Sequence, residues 1–333
     1  MLTVVTGGTG FLGSHLVRLL QERGETVRVL LRPGTSPAAV PAGIEIRFGD
    51  VRDVAALREA FAGASTVFHL AGLTAPYGPR HRYLEINVDG TAAVLDACLA
   101  TGVRRLVYVS SMVVLGIECD RRGLTEDAPY ATKFVTPYEE SKVKAEHLVV
   151  DRARETGLPT VILRPGMGWG PGERVILPGL IRGLASPLLF FMVGNGRNTL
   201  DLSYARNIAH ALWLAAARPE AVGRIYNVAD GFGITCTQYL AALATALGLP
   251  VPKRRIPRAL VQPLMALLLP PEPEPKGTNR PTQEALLRLC ALFRDSEPDI
   301  GRIRKELGYA PPVDFTTGVN ETVAWHRTAF PAR

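Results

Sequence analysis

The chain has 333 residues, 47% of them apolar and 21% charged, and a formal net charge of +7. This length admits one large domain or two smaller ones sharing a core, and this balance is that of a globular protein rather than a disordered one. Cys98, Cys119, Cys236 and Cys290 are scattered without a CxxC pair, which argues against a disulfide framework or a zinc site and leaves no metal expected. No basic cluster with interleaved aromatics accompanies the positive charge, so nucleic acid is not an expected partner. The longest apolar run, Ala259 to Leu269, is broken by Gln262 and Pro263 and falls short of the ~20 residues of a membrane span. No signal peptide precedes the strand that begins at Leu2, so a cytoplasmic location is expected, with at most peripheral membrane association.

Leu2 to Val5 is a short apolar run, and Thr6-Gly7-Gly8-Thr9-Gly10-Phe11-Leu12-Gly13 follows it directly. His15 to Arg23 carries Leu16, Val17, Leu19 and Leu20 at helical spacing, and Thr26 to Leu31 is a second β-type run ending at Arg32. Strand, glycine turn, helix and strand in this order make a dinucleotide-binding βαβ unit. Gly7 and Gly10 permit a tight turn and close approach of backbone to a pyrophosphate, and Gly13 lets the helix pack close to the strand. The cofactor candidates here are Gly7, Thr9, Gly10, Phe11, Leu12 and Gly13.

Further along, Ile44–Phe48 reads as a third strand, and Asp53 as the N-cap of a helix through Phe61. Thr66–Leu70 is a fourth strand, followed by a long helix from about Arg82 to Ala100 with Asn87 near its middle. Arg105–Val109 is a fifth strand running into Ser110-Ser111. Thr136 caps a helix over Pro137–Thr156, and Thr160–Leu163 is a sixth strand before Arg164-Pro165-Gly166. Alternation of strands and helices predicts a doubly wound, parallel α/β sheet of the Rossmann type. The small and polar clusters after each strand should then converge on one edge.

Beyond Gly166 the pattern loosens. Gly168, Gly170, Pro171 and Gly172 make an open loop, and Ile181–Phe191 is apolar but interrupted by Pro187. A helix from Tyr204 to Ala217, a strand at Arg224–Val228 and a helix at Thr237–Leu247 follow. A proline-rich connector at 269–275 precedes helices at Thr282–Phe293, Ile300–Leu307 and Thr316–His326. The expected division is a cofactor domain of residues 1–166 plus about 204–230, and a smaller substrate-binding lid of 167–203 and 231–333.

Tyr138 and Lys142 stand four apart on a predicted helix and so share a face. A phenol is a poor base at neutral pH; a neighbouring ammonium favours the phenolate and lowers its pKa. Lysine can also hydrogen-bond a cofactor ribose, while a serine hydroxyl donates to the substrate oxygen. A Tyr-x-x-x-Lys pair alone arises often by chance. Its order here, after a glycine turn and after serines ending the fifth strand, is far rarer.

With these motifs the chain resembles the extended short-chain dehydrogenases/reductases, of the NAD(P)-dependent epimerase/dehydratase and 3β-hydroxysteroid dehydrogenase type, over nearly its full length. The motifs that carry the resemblance are Thr6–Gly13, Gly49-Asp50-Val51, Val67–Gly72, Asn87–Thr91, Val109-Ser110-Ser111, Thr136–Lys142 and Leu163–Gly166. It implies that Tyr138 is the general acid/base, that Lys142 orients the ribose and tunes Tyr138, and that Ser111 is the substrate-binding serine with Ser110 as its cofactor-side neighbour. It also implies that Asp50 and Val51 flank the adenine, Leu70, Ala71 and Gly72 the central cofactor, and Pro165 the nicotinamide. Homodimers through the helices at Arg82–Ala100 and Pro137–Thr156 are common in relatives.

Arg32 ends the second strand about where an acidic residue would bind the adenine ribose of NAD; arginine there accommodates a 2′-phosphate, so NADP is expected over NAD. The alternative is that Arg32 stacks on adenine, with Arg28 solvated. His69 is expected to be a satisfied core residue, His15 to pack or cap, and Asn87 to make a buried structural hydrogen bond. Asp201, Tyr204 and Asn207 are expected to be scaffold, with Tyr204 beside the substrate.

Met167, Trp169, Leu177, Leu188, Leu189, Phe190 and Phe191 are candidates for an apolar pocket wall, and Thr74, Met167 and Trp169 for substrate contact. The phosphate-gripping Arg-Pro-Gly-Asp-like segment of sugar-nucleotide relatives is absent: Arg280-Pro281 leads to Thr282-Gln283. Pro281–Leu292, Phe293-Arg294-Asp295 and Arg304–Tyr309 resemble the tail of the sterol and lipid-ketone branch, though Glu297-Pro298-Asp299-Ile300-Gly301 departs from it and hopanoid-associated epimerase-like proteins share it. The expected activity is hydride transfer between NADP(H) and a hydrophobic secondary alcohol or ketone, a 3β-hydroxysteroid, sterol or related lipid. The alternatives are a nucleotide-sugar epimerase or reductase and a non-catalytic NADP-binding regulator.

Overall fold

The computed structural model describes residues 1–74, 78–117, 120–186, 192–257, 259–260 and 294–330. The proline-rich connector, the expected helix at 282–293 and the wall candidates Leu188 to Phe191 lie outside these residues.

In chain order, β1 (Leu2–Thr6), α1 (Phe11–Glu22), β2 (Thr26–Leu31), β3 (Glu45–Phe48), α2 (Val54–Phe61) and β4 (Ala64–His69) open the fold. The helix expected from Arg82 is three pieces: α3 (Arg80–Tyr83), a π-helical turn over Leu84–Asp89, and α4 (Gly90–Thr101). β5 (Arg105–Val109), β6 (Arg121–Arg122), α5 (Pro137–Thr156), β7 (Thr160–Pro165) and β8 (Met167–Trp169) follow. Then come α6 (Leu177–Leu184), β9 (Met192–Val193), β10 (Leu202–Tyr204), α7 (Ala205–Ala217), β11 (Ile225–Val228), α8 (Cys236–Leu247), β12 (Arg255–Ile256), β13 (Ser296–Glu297), α9 (Gly301–Leu307) and α10 (Phe315–Ala329). Leu202–Tyr204 thus forms a strand where a helix was expected to start, pairing with Met167–Trp169.

Seven strands form one parallel sheet in the order β3-β2-β1-β4-β5-β7-β11. Strand order reverses between β1 and β4, which in such sheets opens a crevice at the carboxyl ends. Side chains alternate across the sheet. Val5, Phe68, Val107 and Leu163 face a layer of α1, α7 and α9, in which Leu16, Leu20, Leu212 and Ile303 are buried. Val4, Val67, Leu106 and Tyr108 face α2, α4 and α5, in which Leu57, Leu95 and Val149 are buried. Each such side chain contributes roughly 1.5–3 kcal/mol by leaving water. A third cluster, around Trp169, Leu180, Tyr239, Leu243 and Val319, joins β8, α6, α8 and α10.

Candidate active site

The glycine turn is shaped by contact. Gly7 has φ +73°, and a Cβ there would lie 2.7 Å from the Ala71 nitrogen, so only glycine lets the end of β1 meet the loop after β4. A Cβ on Gly13 would run into the Gly7 carbonyl. Gly10 N–H donates to Gly7 O at 2.9 Å, and α1 begins at the next residue, earlier than the expected His15. No side chain caps this helix and no acidic residue occupies its first turn. Thr9 and Gly10 are exposed, with Phe11 and Leu12 half-buried behind them. Uncapped N–H groups, the positive end of the helix dipole and a turn without side-chain bulk fit a dinucleotide pyrophosphate.

Arg32 stands exposed just past β2 and makes no ion pair among the described residues. Asp50 is bound by Arg52 at 2.8 Å, and that hydrogen bond holds its carboxyl below the ordinary range. Arg28, solvated in the alternative reading, pairs with Glu45 at 2.9 Å and donates to Ala60 O at 2.8 Å. Val51 is buried, Leu70 and Ala71 are half-buried, and Gly72 is exposed.

α5 is started by Thr136, whose hydroxyl accepts from Glu139 N–H at 3.1 Å, with Pro137 at the first helical position. Glu139 turns back to accept from Ile117 N–H at 3.1 Å and Val135 N–H at 2.8 Å, tying this helix start to the loop beyond Ser111. In the first turn of the helix, the half-buried Tyr138 lies close to Ser111. Burial pushes the Tyr138 phenol above its ordinary pKa, and the neighbouring Ser111 hydroxyl pulls the other way. The direction is upward, contrary to the expectation that Lys142 lowers it, because the Lys142 ammonium is held on the sheet instead. It donates to Val109 O at 2.7 Å and to the Tyr108 hydroxyl at 3.2 Å. Burial brings Lys142 down to about 8, with Glu146 opposing.

Ser110 corrects the expectation set for it. Its side chain points into the α5 layer, is 3% exposed and donates to Glu146, so it is not available to a cofactor. Glu146 also accepts from Tyr130 at 2.9 Å and from Arg164 at 2.6 Å, closing a buried polar cluster. Trp169 is likewise a core residue rather than an open wall. It is 3% exposed, donates from Nε1 to Asp230 at 2.9 Å and packs on Tyr204, Tyr239 and Phe315. It reaches only a small cavity, shared with Met167, Ile176 and Leu177. Pro165 is buried at the end of β7, Met167 is half-buried in β8, and Thr74 is exposed after β4.

His69 is buried, and burial pushes it down to about 3. His15 Nε2 meets Pro171 O at 2.8 Å, linking α1 to the loop after β8. Asn87, inside the π turn, accepts from Leu73 N–H at 2.6 Å and donates to Ser141 at 2.8 Å. Asp201 pairs with Arg121 at 3.4 Å. Asn207 bridges Asp230 at 2.7 Å and Val313 O at 2.9 Å. Tyr204 is fully buried with its hydroxyl on Glu321, which leaves it no face for a substrate. Tyr108, Glu146 and Asp230 were missed from sequence. The signal for the first two lay in spacing: Tyr108 shares a sheet face with Ser110, and Glu146 lies one helical turn beyond Lys142.

A doubly wound sheet with a glycine turn at its switch point defines a dinucleotide-binding α/β protein. Residues 3–229 match the NAD dependent epimerase/dehydratase family, and the chain belongs to that family, within the extended short-chain dehydrogenases/reductases. It is therefore an NAD(P)-dependent enzyme. It is 33% identical over 333 residues to 2-alkyl-3-oxoalkanoate reductase of Stenotrophomonas maltophilia (strain K279a), covering 97% of this chain and 99% of that one. It is 29% identical over 349 residues to 3beta-hydroxysteroid-dehydrogenase/decarboxylase isoform 2 of Arabidopsis thaliana, covering 96% of this chain but 61% of that protein's length. The UDP-glucose 4-epimerase of Thermus thermophilus, in complex with NAD, superposes with a TM-score of 0.73 at 27% identity, covering 99% and 100% of the two chains. No helix among the described residues is long and apolar enough to cross a membrane.

Proposed function

We propose that this enzyme transfers a hydride between NADP(H) and an apolar secondary alcohol or its ketone, on a 3β-hydroxysteroid, a sterol or a related lipid such as a 3-hydroxy/3-keto acid. The observation that carries the reading is the proximity of Ser111 to Tyr138 at the carboxyl edge of the sheet, with the buried Lys142 one turn along α5. In this reading residues 1–166 and about 204–230 bind the cofactor and the remainder binds the substrate, in the cytoplasm.

When bound, the nicotinamide supplies or accepts the hydride. Gly7, Gly10 and the N–H groups opening α1 hold the pyrophosphate, and Arg32 takes the 2′-phosphate. Lys142 orients the nicotinamide ribose through the N–H not used by Val109 and Tyr108. Ser111 donates a hydrogen bond to the substrate oxygen. Tyr138, kept protonated by burial, gives its hydroxyl proton to that oxygen in reduction and takes it back in oxidation. Names among the relatives favour this substrate class: a 3β-hydroxysteroid dehydrogenase/decarboxylase and a 3-oxoalkanoate reductase.

A second reading, epimerisation of a nucleotide-sugar, has the likeness to the UDP-glucose 4-epimerase in its favour. Purified protein is assayed with a 3β-hydroxysterol and NADP, with a 2-alkyl-3-oxoalkanoate and NADPH, and with UDP-glucose. Cofactor turnover with either lipid is expected. Turnover of UDP-glucose alone would replace the first reading with the second; NADP binding with no turnover of any of the three would favour a regulator.

A further inference from the structure

We infer that Arg121 is a positioning residue for Ser111: its guanidinium, tied to the loops that follow β5 and β7, grips the peptide unit whose N–H meets the Ser111 hydroxyl. The inference rests on the role proposed above for Ser111.

Ser111 is extended and caps a 3₁₀ turn over Met112–Leu115. Its hydroxyl oxygen accepts from Val113 N–H at 3.4 Å. That bond uses a lone pair and leaves the hydroxyl proton for a ligand. It is also long, so a small tilt of the donor would release the serine rotor.

The donor belongs to the Met112–Val113 peptide, a planar unit whose N–H and C=O point opposite ways. The carbonyl end of this unit is held: Arg121 Nη1 donates to Met112 O at 3.2 Å. Rotating the unit by its oxygen rotates its N–H through the same angle. A guanidinium on one side therefore sets the direction of a hydroxyl on the other without touching it.

Arg121 is fixed at both ends of its own length. Its backbone N–H donates to Asp295 O at 2.7 Å, and its strand, β6, pairs with β13. At its head, Nη2 lies 3.4 Å from Asp201 Oδ2, and both side chains are 7% exposed. Nε makes no hydrogen bond among the described residues, so Met112 O and Asp201 orient the head. Asp201 in turn stands against the loop after β7. Its carbonyl accepts from Met167 N–H at 2.9 Å, and a Cβ on Gly166 would overlap it. Gly166 follows Pro165, the nicotinamide neighbour in the proposed reading. One guanidinium thus joins the serine's loop to the nicotinamide's. A lysine would keep the charge beside Asp201 but lose the planar fork that serves two acceptors.

Ser111→Ala, Arg121→Met and the double variant form a cycle, read by steady-state kinetics with whichever of the three substrates named above is turned over. Ser111→Ala is expected to lower kcat about 100-fold. Arg121→Met is expected to lower kcat about tenfold, with NADPH affinity by fluorescence titration within about twofold of the parent. In the Ser111→Ala background, Arg121→Met should cost less than about twofold more, because the hydroxyl it aims is gone. Arg121→Lys should lower kcat by less than Arg121→Met does. A merely structural role would cost the same factor in both backgrounds, and that result overturns the inference. So does a folded Arg121→Met with the parent's kcat. If Arg121→Met does not fold, Arg121→Lys takes its place in the cycle, with the same two overturning results. Ser111→Ala with the parent's kcat removes the role of Ser111 and this inference with it. If Ser111→Ala is impaired while Arg121→Met matches the parent, only this inference fails. Absence of turnover with all three substrates removes both.

Discussion

Lys142 and Asp230 are both buried ionisable groups, one at the carboxyl edge of the main sheet and the other in the cluster around Trp169. Burial moves each toward its neutral form, Lys142 down to about 8 and Asp230 up to about 6. Their partners differ. Asp230 accepts from Trp169 Nε1 at 2.9 Å, Asn207 Nδ2 at 2.7 Å and Tyr204 N–H at 2.9 Å, and so ties β8, β10 and α7 together. Lys142 gives two of three donors to the protein. A buried charge with a complete partner set is a fastener; one with a donor in reserve can address a ligand. The edge is built in the second way and the Trp169 cluster in the first.

The strongest way to break this contrast is Tyr138→Phe. Loss of the hydroxyl proposed to transfer the proton should cut turnover by about 1000-fold, while NADPH affinity stays within about twofold. Steady-state kinetics beside fluorescence titration reads both, and normal turnover would leave the edge chemically no different from the cluster. Asp230→Ala sharpens it from the other side. Three buried donors lose their acceptor, so denaturant unfolding should show a loss of about 3 kcal/mol or more. The pH dependence of kcat should not move; a shifted profile would put Asp230 in the chemistry. Arg32→Asp is the mildest. NADP affinity should fall about tenfold or more and NAD affinity by no more than about threefold, and equal losses would remove the 2′-phosphate assignment.

What could be read from sequence was what neighbours in sequence decide. The β1–turn–α1 unit, the Asp53 and Thr136 caps and the Tyr138–Lys142 face each rest on residues within a few positions of one another. The hidden parts were long-range. Ser110 meets Glu146 across 36 positions, and Trp169 meets Asp230 across 61. Neither serine in Ser110-Ser111 announces which of them turns inward; strand alternation decides it, once the strand's buried face is known. The direction of the Tyr138 shift failed for the same reason. The helix spacing placed the ammonium nearby, but Val109 and Tyr108, which hold it, belong to another element.

The π turn at Leu84–Asp89 carries Asn87, which joins the Leu73 backbone to Ser141 on α5. Such a turn holds one residue more than an α-helical register needs. Shortening the segment by a single residue would close it to a regular α-helix with little change in the heading of α4, and would draw Asn87 out of the widened turn that carries it. The crossbar between the post-β4 loop and the Tyr138–Lys142 helix would then be lost with no change to any residue touching either. The extra residue acts as a spacer, and length at this point, more than composition, is what the fold cannot trade away.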